Sequence, residues 1–234
     1  MDSRVIPAPQ APQDALVVFA RHPVAGRVKT RLTPAMPAAH VAALYAAMLA
    51  DTLAAGAACC AAVREIWWAD EQEDENAFEV PSPFAQRRQP AGDLGARLAA
   101  ASAALLAAPG ARVVIIGSDA PALSAAHLDA AFAALREHDV VLGPAGDGGY
   151  WLIGLSRAAP ELFDGIAWST DAVLRETRAR ADRGSLRVAM LPTLADLDTP
   201  ADLARLMARV ALGTREACGV NLRAALQRLG VSAA

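Results

Sequence analysis

Lysine is almost missing from this chain: of the 22 Lys and Arg residues among 234, only Lys29 is a lysine. Cysteine is scarce as well, at Cys59, Cys60 and Cys218. These have no metal-ligand spacing, their odd number argues against a disulfide framework, and vicinal cysteines rarely bond to each other, so a reducing cytoplasm fits best. There is no basic excess: the formal net charge of −3 gives no general reason to expect a nucleic-acid partner. Met1–Asp14 has no apolar h-region and reads as a flexible lead, not a secretory signal. No apolar stretch is both long enough and free enough of charge to span a bilayer. Ala38–Ala62 comes closest, but His40, Asp51 and its many alanines point to a soluble helix, so no membrane partner is expected. The four histidines, His22, His40, His127 and His138, show no ligand spacing, and no Ser-His-Asp or Cys-His arrangement stands out.

What is present is alternation. The chain is 54% apolar, much of it alanine. Leu16–Ala20, Ala61–Ala69, Phe84–Arg88, Arg112–Gly117, Asp139–Leu142, Gly149–Leu155 and Arg187–Leu191 read as strands. Helices are expected at Ala38–Ala55, from Asp93 to Ala107, and at Ser124–His138, Thr170–Arg183, Pro200–Leu212 and Glu216–Leu229. Asp70–Glu79 is acidic and reads as a solvated loop or helix end. Strand–helix alternation predicts a three-layer α/β sandwich with a mostly parallel sheet, formed as one domain from residue 15 to 234. Ligands in such sheets bind beyond the carboxyl ends of the strands. The loops Arg21–Leu32, Ser118–Leu123 and Gly143–Tyr150 each follow a strand and should meet there.

The first loop carries Arg21, Arg27, Lys29 and Arg31, with no acidic residue between Ala15 and Ala50. Lys is a flexible point charge suited to polyphosphate oxygens, whereas Arg is a rigid fork. The loop therefore suits an anion such as a nucleotide phosphate, although it is neither a Walker loop nor a dinucleotide glycine motif. A solvated basic loop would carry the same charges. Asp119, just past a buried strand in Ile115-Ile-Gly-Ser-Asp-Ala-Pro, is placed to hold Mg²⁺ or Mn²⁺. It could equally be a turn residue. Gly143-Pro-Ala-Gly-Asp-Gly-Gly-Tyr-Trp lets backbone approach a ligand, with Tyr150 and Trp151 available to stack on a sugar or base. Asp147-Gly148 is also a hairpin signal, and the two readings are compatible. In Leu194-Ala-Asp-Leu-Asp-Thr-Pro-Ala-Asp, helix capping accounts for Thr199, Pro200 and Asp202. It leaves Asp196 and Asp198, either of which could complete a metal shell begun by Asp119.

Six motifs occur in order: Phe-Ala-Arg-x-Pro-x-x-Gly-x-Val-Lys-Thr-Arg-Leu, Gly-Asp-Leu-Gly-x-Arg, Ile-Gly-Ser-Asp-x-Pro-x-Leu, Gly-Pro-Ala-x-Asp-Gly-Gly-Tyr-x-Leu-Ile-Gly-Leu, Trp-Ser-Thr-Asp and Asp-x-Asp-Thr-Pro-x-Asp-Leu. From Leu16 to Leu206 the chain resembles the DUF2064 family of bacterial glycosyltransferase-like proteins. That family belongs to the GT-A, or nucleotide-diphospho-sugar transferase, superfamily, with the 2-phospholactate and molybdenum cofactor guanylyltransferases. The resemblance implies a Rossmann-like fold, a bound nucleotide and a Mg²⁺ or Mn²⁺ ion. It places Arg21, Gly26, Lys29 and Arg31 on nucleotide or phosphate, with Ala20 and Ser118 beside them and Asp93 at the base and ribose. Asp119 would be the principal metal ligand, with Asp198 or Asp196 as the second. Gly148, Gly149 and Tyr150 would line the acceptor side, and Lys29, Asp119 and Asp147 would act in catalysis.

The expected activity is metal-dependent glycosyl transfer from a nucleotide sugar to a small-molecule acceptor. The alternative is nucleotidyl transfer, joining an NTP to a phosphorylated small molecule, and a non-catalytic nucleotide-sensing domain is the reading from another class. Asp147 is the candidate general base that an inverting glycosyl transfer would need.

Overall fold

Asp14–Ala20 is apolar at nearly every position because both of its faces are covered. Leu16, Val18 and Ala20 enter one hydrophobic cluster, while Ala15 and Val17 enter another on the opposite side. A strand covered on both faces reads as a continuous apolar run. It is β1 of a computed structural model that describes residues 13–69 and 78–231. The chain continues through α1 (Ala38–Ala58), β2 (Val63–Trp68), β3 (Ala85–Arg88), α2 (Leu94–Leu105), β4 (Arg112–Ile116) and α3 (Ala125–Ala134). It then forms β5 (Val140–Pro144), β6 (Tyr150–Leu155), α4 (Val173–Arg183), β7 (Val188–Met190), α5 (Pro200–Ala211) and α6 (Val220–Arg228).

The seven strands form one sheet in the order β3-β2-β1-β4-β6-β5-β7. Leu44 of α1, Phe132 of α3, Leu203 of α5 and Leu222 of α6 pack on one face. Leu98 of α2 and Ala181 of α4 pack on the other, completing the expected three layers. Four neighbouring strand pairs are parallel and two are antiparallel. The antiparallel pairs arise because β6 returns through the Asp147-Gly148 hairpin and inserts between β4 and β5. The carboxyl ends of β1 to β5 consequently share one edge, and the three motif-bearing loops meet there.

Asp14, expected in the lead, is instead the first residue of β1, where its carboxylate accepts from Arg112 Nε at 2.6 Å and Nη2 at 3.0 Å. Residues 1–12, and 70–77 of the acidic stretch, lie outside the described residues. Helix α4 starts at Val173 and not at Thr170, because Thr170 Oγ1 turns back to donate to the Ala167 carbonyl. The expected last helix divides into a 3-10 turn, Arg215–Ala217, and α6. Helix α1 is long and apolar enough by length and composition to cross a membrane, and half of its apolar window is buried inside the fold. Its Asp51 caps α6, accepting from Asn221 N, Asn221 Nδ2 and Leu222 N at 2.8–2.9 Å.

The connection before α4 braces the edge. A Cβ at Gly95 in α2 would lie 2.7 Å from Trp168 Nε1 and 2.9 Å from the Phe163 carbonyl oxygen, so the indole rests on bare helix backbone. Gly148, at φ +89°, is pressed against the backbone of Asp171, and its carbonyl accepts from Leu174 N at 2.9 Å.

Candidate active site

The first loop is fixed from below. Val28 and Leu32 are buried in the core, so the residues between and beside them are turned toward the sheet edge. Lys29 adopts the left-handed conformation, φ 45° and ψ 40°, at the start of the 3-10 turn Thr30–Leu32. This region costs a non-glycine residue about 1–2 kcal/mol, and such strain collects at functional sites. Here it folds the lysine stem inward until its side chain is only 7% exposed. The ammonium lies 2.8 Å from Asp119 Oδ1 and 3.5 Å from Asp198 Oδ1. Burial works to lower its pKa, but the charge and hydrogen bond of Asp119 together with the charge of Asp198 more than offset this, and Lys29 ends above its ordinary value. Arg31 Nη1 reaches Asp198 Oδ2 at 2.8 Å.

The Asp-x-Asp segment arrives here for a visible reason. Leu197 is buried in the core and donates its N–H to the Asp119 carbonyl at 2.9 Å. Its neighbours, Asp196 and Asp198, are thereby turned out of the core together. The capping reading also holds: Asp202 Oδ2 accepts from Thr199 N at 2.7 Å, and Pro200 opens α5. Burial, followed by the charges of Asp147 and Asp119, pushes the Asp196 carboxyl up to about 7. Asp119 and Asp198 thus flank the Lys29 ammonium, while Asp119 and Asp147 act on Asp196.

A cavity of about 630 Å³ runs along the strand ends. Ala20, Arg21, Lys29, Arg31, Ser118, Asp119, Tyr150 and Asp198 line it, as does Arg27. Other sequence candidates have different positions. Gly26 lies in the turn of the first loop with φ +78°, outside the cavity wall. Asp93 is the N-cap of α2, accepting from Ala96 N at 2.8 Å, and it brings Leu94, Arg97 and Leu98 to the wall instead of itself. Asp147 Oδ1 accepts the Gly149 N–H at 2.9 Å in the exposed hairpin turn, so Asp147 and Gly149 also stand behind the lining. Gly148 faces a second, smaller cavity beside α4. The indole of Trp151 is not available to stack, because it is buried against Gly143 and donates Nε1–H to the Pro192 carbonyl at 3.2 Å.

Sequence reasoning missed Tyr45, Gln89 and Arg97. Tyr45, on α1, accepts the Arg21 N–H at 3.0 Å and lies 3.0 Å from Ser118 Oγ, joining the first loop to the loop after β4. One signal was present: the chain has two tyrosines, Tyr45 and Tyr150, and both line this cavity.

The family model described as "Uncharacterized protein conserved in bacteria (DUF2064)" matches residues 52–170, half of the chain. The chain belongs to the DUF2064 family. This DUF2064 protein is 35% identical over 199 residues to a 3-phospho-D-glycerate guanylyltransferase from Phenylobacterium zucineum (strain HLK1), covering 81% of this chain and 88% of the relative. A crystal structure from Desulfovibrio desulfuricans G20, described as a nucleotide-diphospho-sugar transferase, superposes with a TM-score of 0.85 at 30% identity, over 94% of this chain and 96% of the other. The CTP complex of CMP:2-keto-3-deoxy-manno-octonic acid synthetase shares the fold alone, with a TM-score of 0.52 at 11% identity over 86% and 99% of the two chains. The DUF2064 protein is accordingly a transferase of the nucleotidyl- and sugar-transfer class, with the α/β fold of the nucleotide-diphospho-sugar transferases.

Proposed function

We propose that this protein is a nucleotidyltransferase that joins a nucleoside monophosphate unit, in first place GMP from GTP, to a phosphorylated small molecule. The observation that carries this reading is the order of groups along one cavity. Gln89, just after β3, lies on the β3–β2 side of the edge beside Leu94 and Arg97 of α2, the cations Arg21, Lys29 and Arg31 follow β1, Asp119 follows β4, and Tyr150 begins β6. That sequence suits base, phosphates, α-phosphorus and acceptor in turn.

An acceptor phosphate oxygen would bond to the α-phosphorus as the bond to the bridging oxygen breaks, and pyrophosphate would leave with the electron pair. Such a displacement needs positioning and charge stabilisation more than a general base. The first-loop cations would hold the leaving pyrophosphate, and Tyr45 would keep that loop in register with Ser118. Asp147, the candidate base for an inverting glycosyl transfer, stands in the exposed hairpin turn behind the cavity lining, which weakens the glycosyl reading. The relative's guanylyltransferase name points the same way.

Among the described residues no ready-made cage of three His, Cys, Asp or Glu side chains occurs. The donor chemistry nevertheless fits a hard divalent cation. Asp119 and Asp198 already share the Lys29 ammonium, and Asp196 stands close enough to Asp119 for the charge of Asp119 to add to the effect of burial on its carboxyl. Asp119, Asp198 and Asp196 would hold Mg²⁺ or Mn²⁺ together with ligand oxygens. A bound ion would neutralise charge on the phosphates.

Glycosyl transfer from a nucleotide sugar is the second reading, favoured by the likeness to the Desulfovibrio structure. One screen separates them: thermal shift with NTPs and nucleotide sugars, with and without Mn²⁺, followed by pyrophosphate release from GTP plus 3-phosphoglycerate. Acceptor-dependent pyrophosphate release is expected. Stabilisation by nucleotide sugars alone, without pyrophosphate release from any NTP, would overturn the nucleotidyl reading.

A further inference from the structure

One arginine in the cavity is held without an acid. Arg97 stands one turn into α2, and its guanidinium is pinned on two sides by neutral oxygens: Nε donates to the Gly92 carbonyl at 3.0 Å and Nη1 to Gln89 Oε1 at 3.3 Å. Gln89 cannot turn its amide to evade this. It is buried, its Nε2 donates to the Trp67 carbonyl at 2.8 Å, and its backbone N–H donates to Trp68 O at 2.8 Å. The carbonyl oxygen of the amide must therefore face Arg97. A guanidinium has five N–H donors. Two are committed here, and no carboxylate among the described residues pairs with Arg97. What remains is a charged, planar donor edge at the cavity wall with Nη2 wholly uncommitted.

The surroundings say what that edge can meet. Arg21, Lys29 and Arg31 serve the neighbouring stretch of the cavity, so a phosphate is already provided for. Around Arg97 the wall is apolar. Leu94 is a large hydrophobic residue left 42% exposed, and Phe19 packs on Trp67 with ring centroids 6.0 Å apart. A flat apolar ring carrying two acceptors on one edge satisfies both conditions. Guanine has that edge in O6 and N7, which a guanidinium fork reads, whereas adenine turns an amino donor toward the same place.

We infer that Arg97, oriented by Gln89 and Gly92, is the residue that selects a 6-oxopurine by donating to its O6 and N7. This rests on the reading of the cavity as a nucleotide site, and it assigns base choice to a residue outside the phosphate and metal groups.

The test measures binding of GTP, ITP, 7-deaza-GTP, 2-aminopurine riboside triphosphate and inorganic tripolyphosphate to the wild type and to Arg97→Ala and Arg97→Lys. The wild type should bind GTP and ITP alike, and should lose roughly tenfold to a hundredfold on the two analogues lacking N7 or O6. Arg97→Ala should bind all four purine triphosphates about equally. Arg97→Lys, with charge but no fork, should lose most of the discrimination. Tripolyphosphate, which has no base, should bind all three proteins alike. If Arg97→Ala keeps the preference for O6 and N7, or loses tripolyphosphate as well, the inference falls while the nucleotide reading stands. If the wild type binds no triphosphate, the nucleotide reading falls and takes the inference with it.

Discussion

Replacing Lys29 by methionine would separate its charge from everything else it does. Methionine keeps an unbranched stem and bears the same left-handed backbone penalty, so strain cancels between the two proteins; glycine would relieve that strain and confound the comparison. What the substitution removes is the ammonium between two carboxylates. The Asp119 and Asp198 oxygens lie 2.8 and 3.5 Å from the same nitrogen, and so are within about 6 Å of each other. Two unit charges at that distance repel by about 3 kcal/mol at an effective dielectric constant near 20. Asp119 is half exposed and Asp198 keeps Arg31, which reduces the cost to about 1–2 kcal/mol. For a chain of this size that is a fall of roughly 2–8 °C in Tm. Millimolar Mg²⁺ or Mn²⁺ should then stabilise Lys29→Met more than the wild type, since a cation restores what the ammonium supplied. The assay is thermal unfolding of both proteins across a metal titration. An unchanged Tm, or equal stabilisation of both proteins by metal, would refute the view that Lys29 neutralises this carboxylate pair.

Two further outcomes concern stability. Asp51→Ala removes three hydrogen bonds from a carboxylate to the start of α6 and should lower Tm by about 4–8 °C, from a loss near 2 kcal/mol; an unchanged melting curve would show that the clamp is dispensable. Asp139 is held below its ordinary pKa of 3.8, first by the Arg187 backbone N–H and then by the charges of Arg187 and Arg157. A depressed carboxylate contributes stability above its unfolded pKa and loses it as pH falls through the folded one, so Asp139→Asn should be less stable than the wild type at neutral pH, with the gap closing below about pH 4. A constant gap across that range, measured by denaturant unfolding, would contradict this.

Local patterns were legible in the sequence wherever a residue's role depends on its chain neighbours. The apolar run at Leu16–Ala20, the capping group Thr199-Pro200-x-Asp202 and the Asp147-Gly148 hairpin each declare themselves within a few positions. So did the suspicion that Asp196 and Asp198 exceed what capping requires. Tyr45 was hidden because it lies in an alanine-rich helix, and its meaning comes from Arg21 and Ser118, both distant in sequence. Trp151 does reach the cavity wall, but its position in the strand does not say whether the ring is open to a ligand; the indole is buried and its N–H is committed to the Pro192 carbonyl. Asp93 shows a third kind of ambiguity, since a carboxylate before a helix serves equally as cap or as ligand, and here its side chain is the cap.

The bracing of Trp168 on Gly95, and of Asp171 on Gly148, has an evolutionary reading. Gly95 belongs to α2, Gly148 to the β5–β6 hairpin, and Trp168 and Asp171 to the one connection between β6 and α4, yet neither glycine can change size alone. Any side chain at 95 displaces the indole, and any at 148 displaces the segment that carries it. Relatives that take a different acceptor are therefore expected to change these positions together, a larger residue at 95 accompanying a smaller one at 168. Substrate range in this family would then drift in coupled steps, and a lone substitution in the hairpin would more often damage the protein than retarget it.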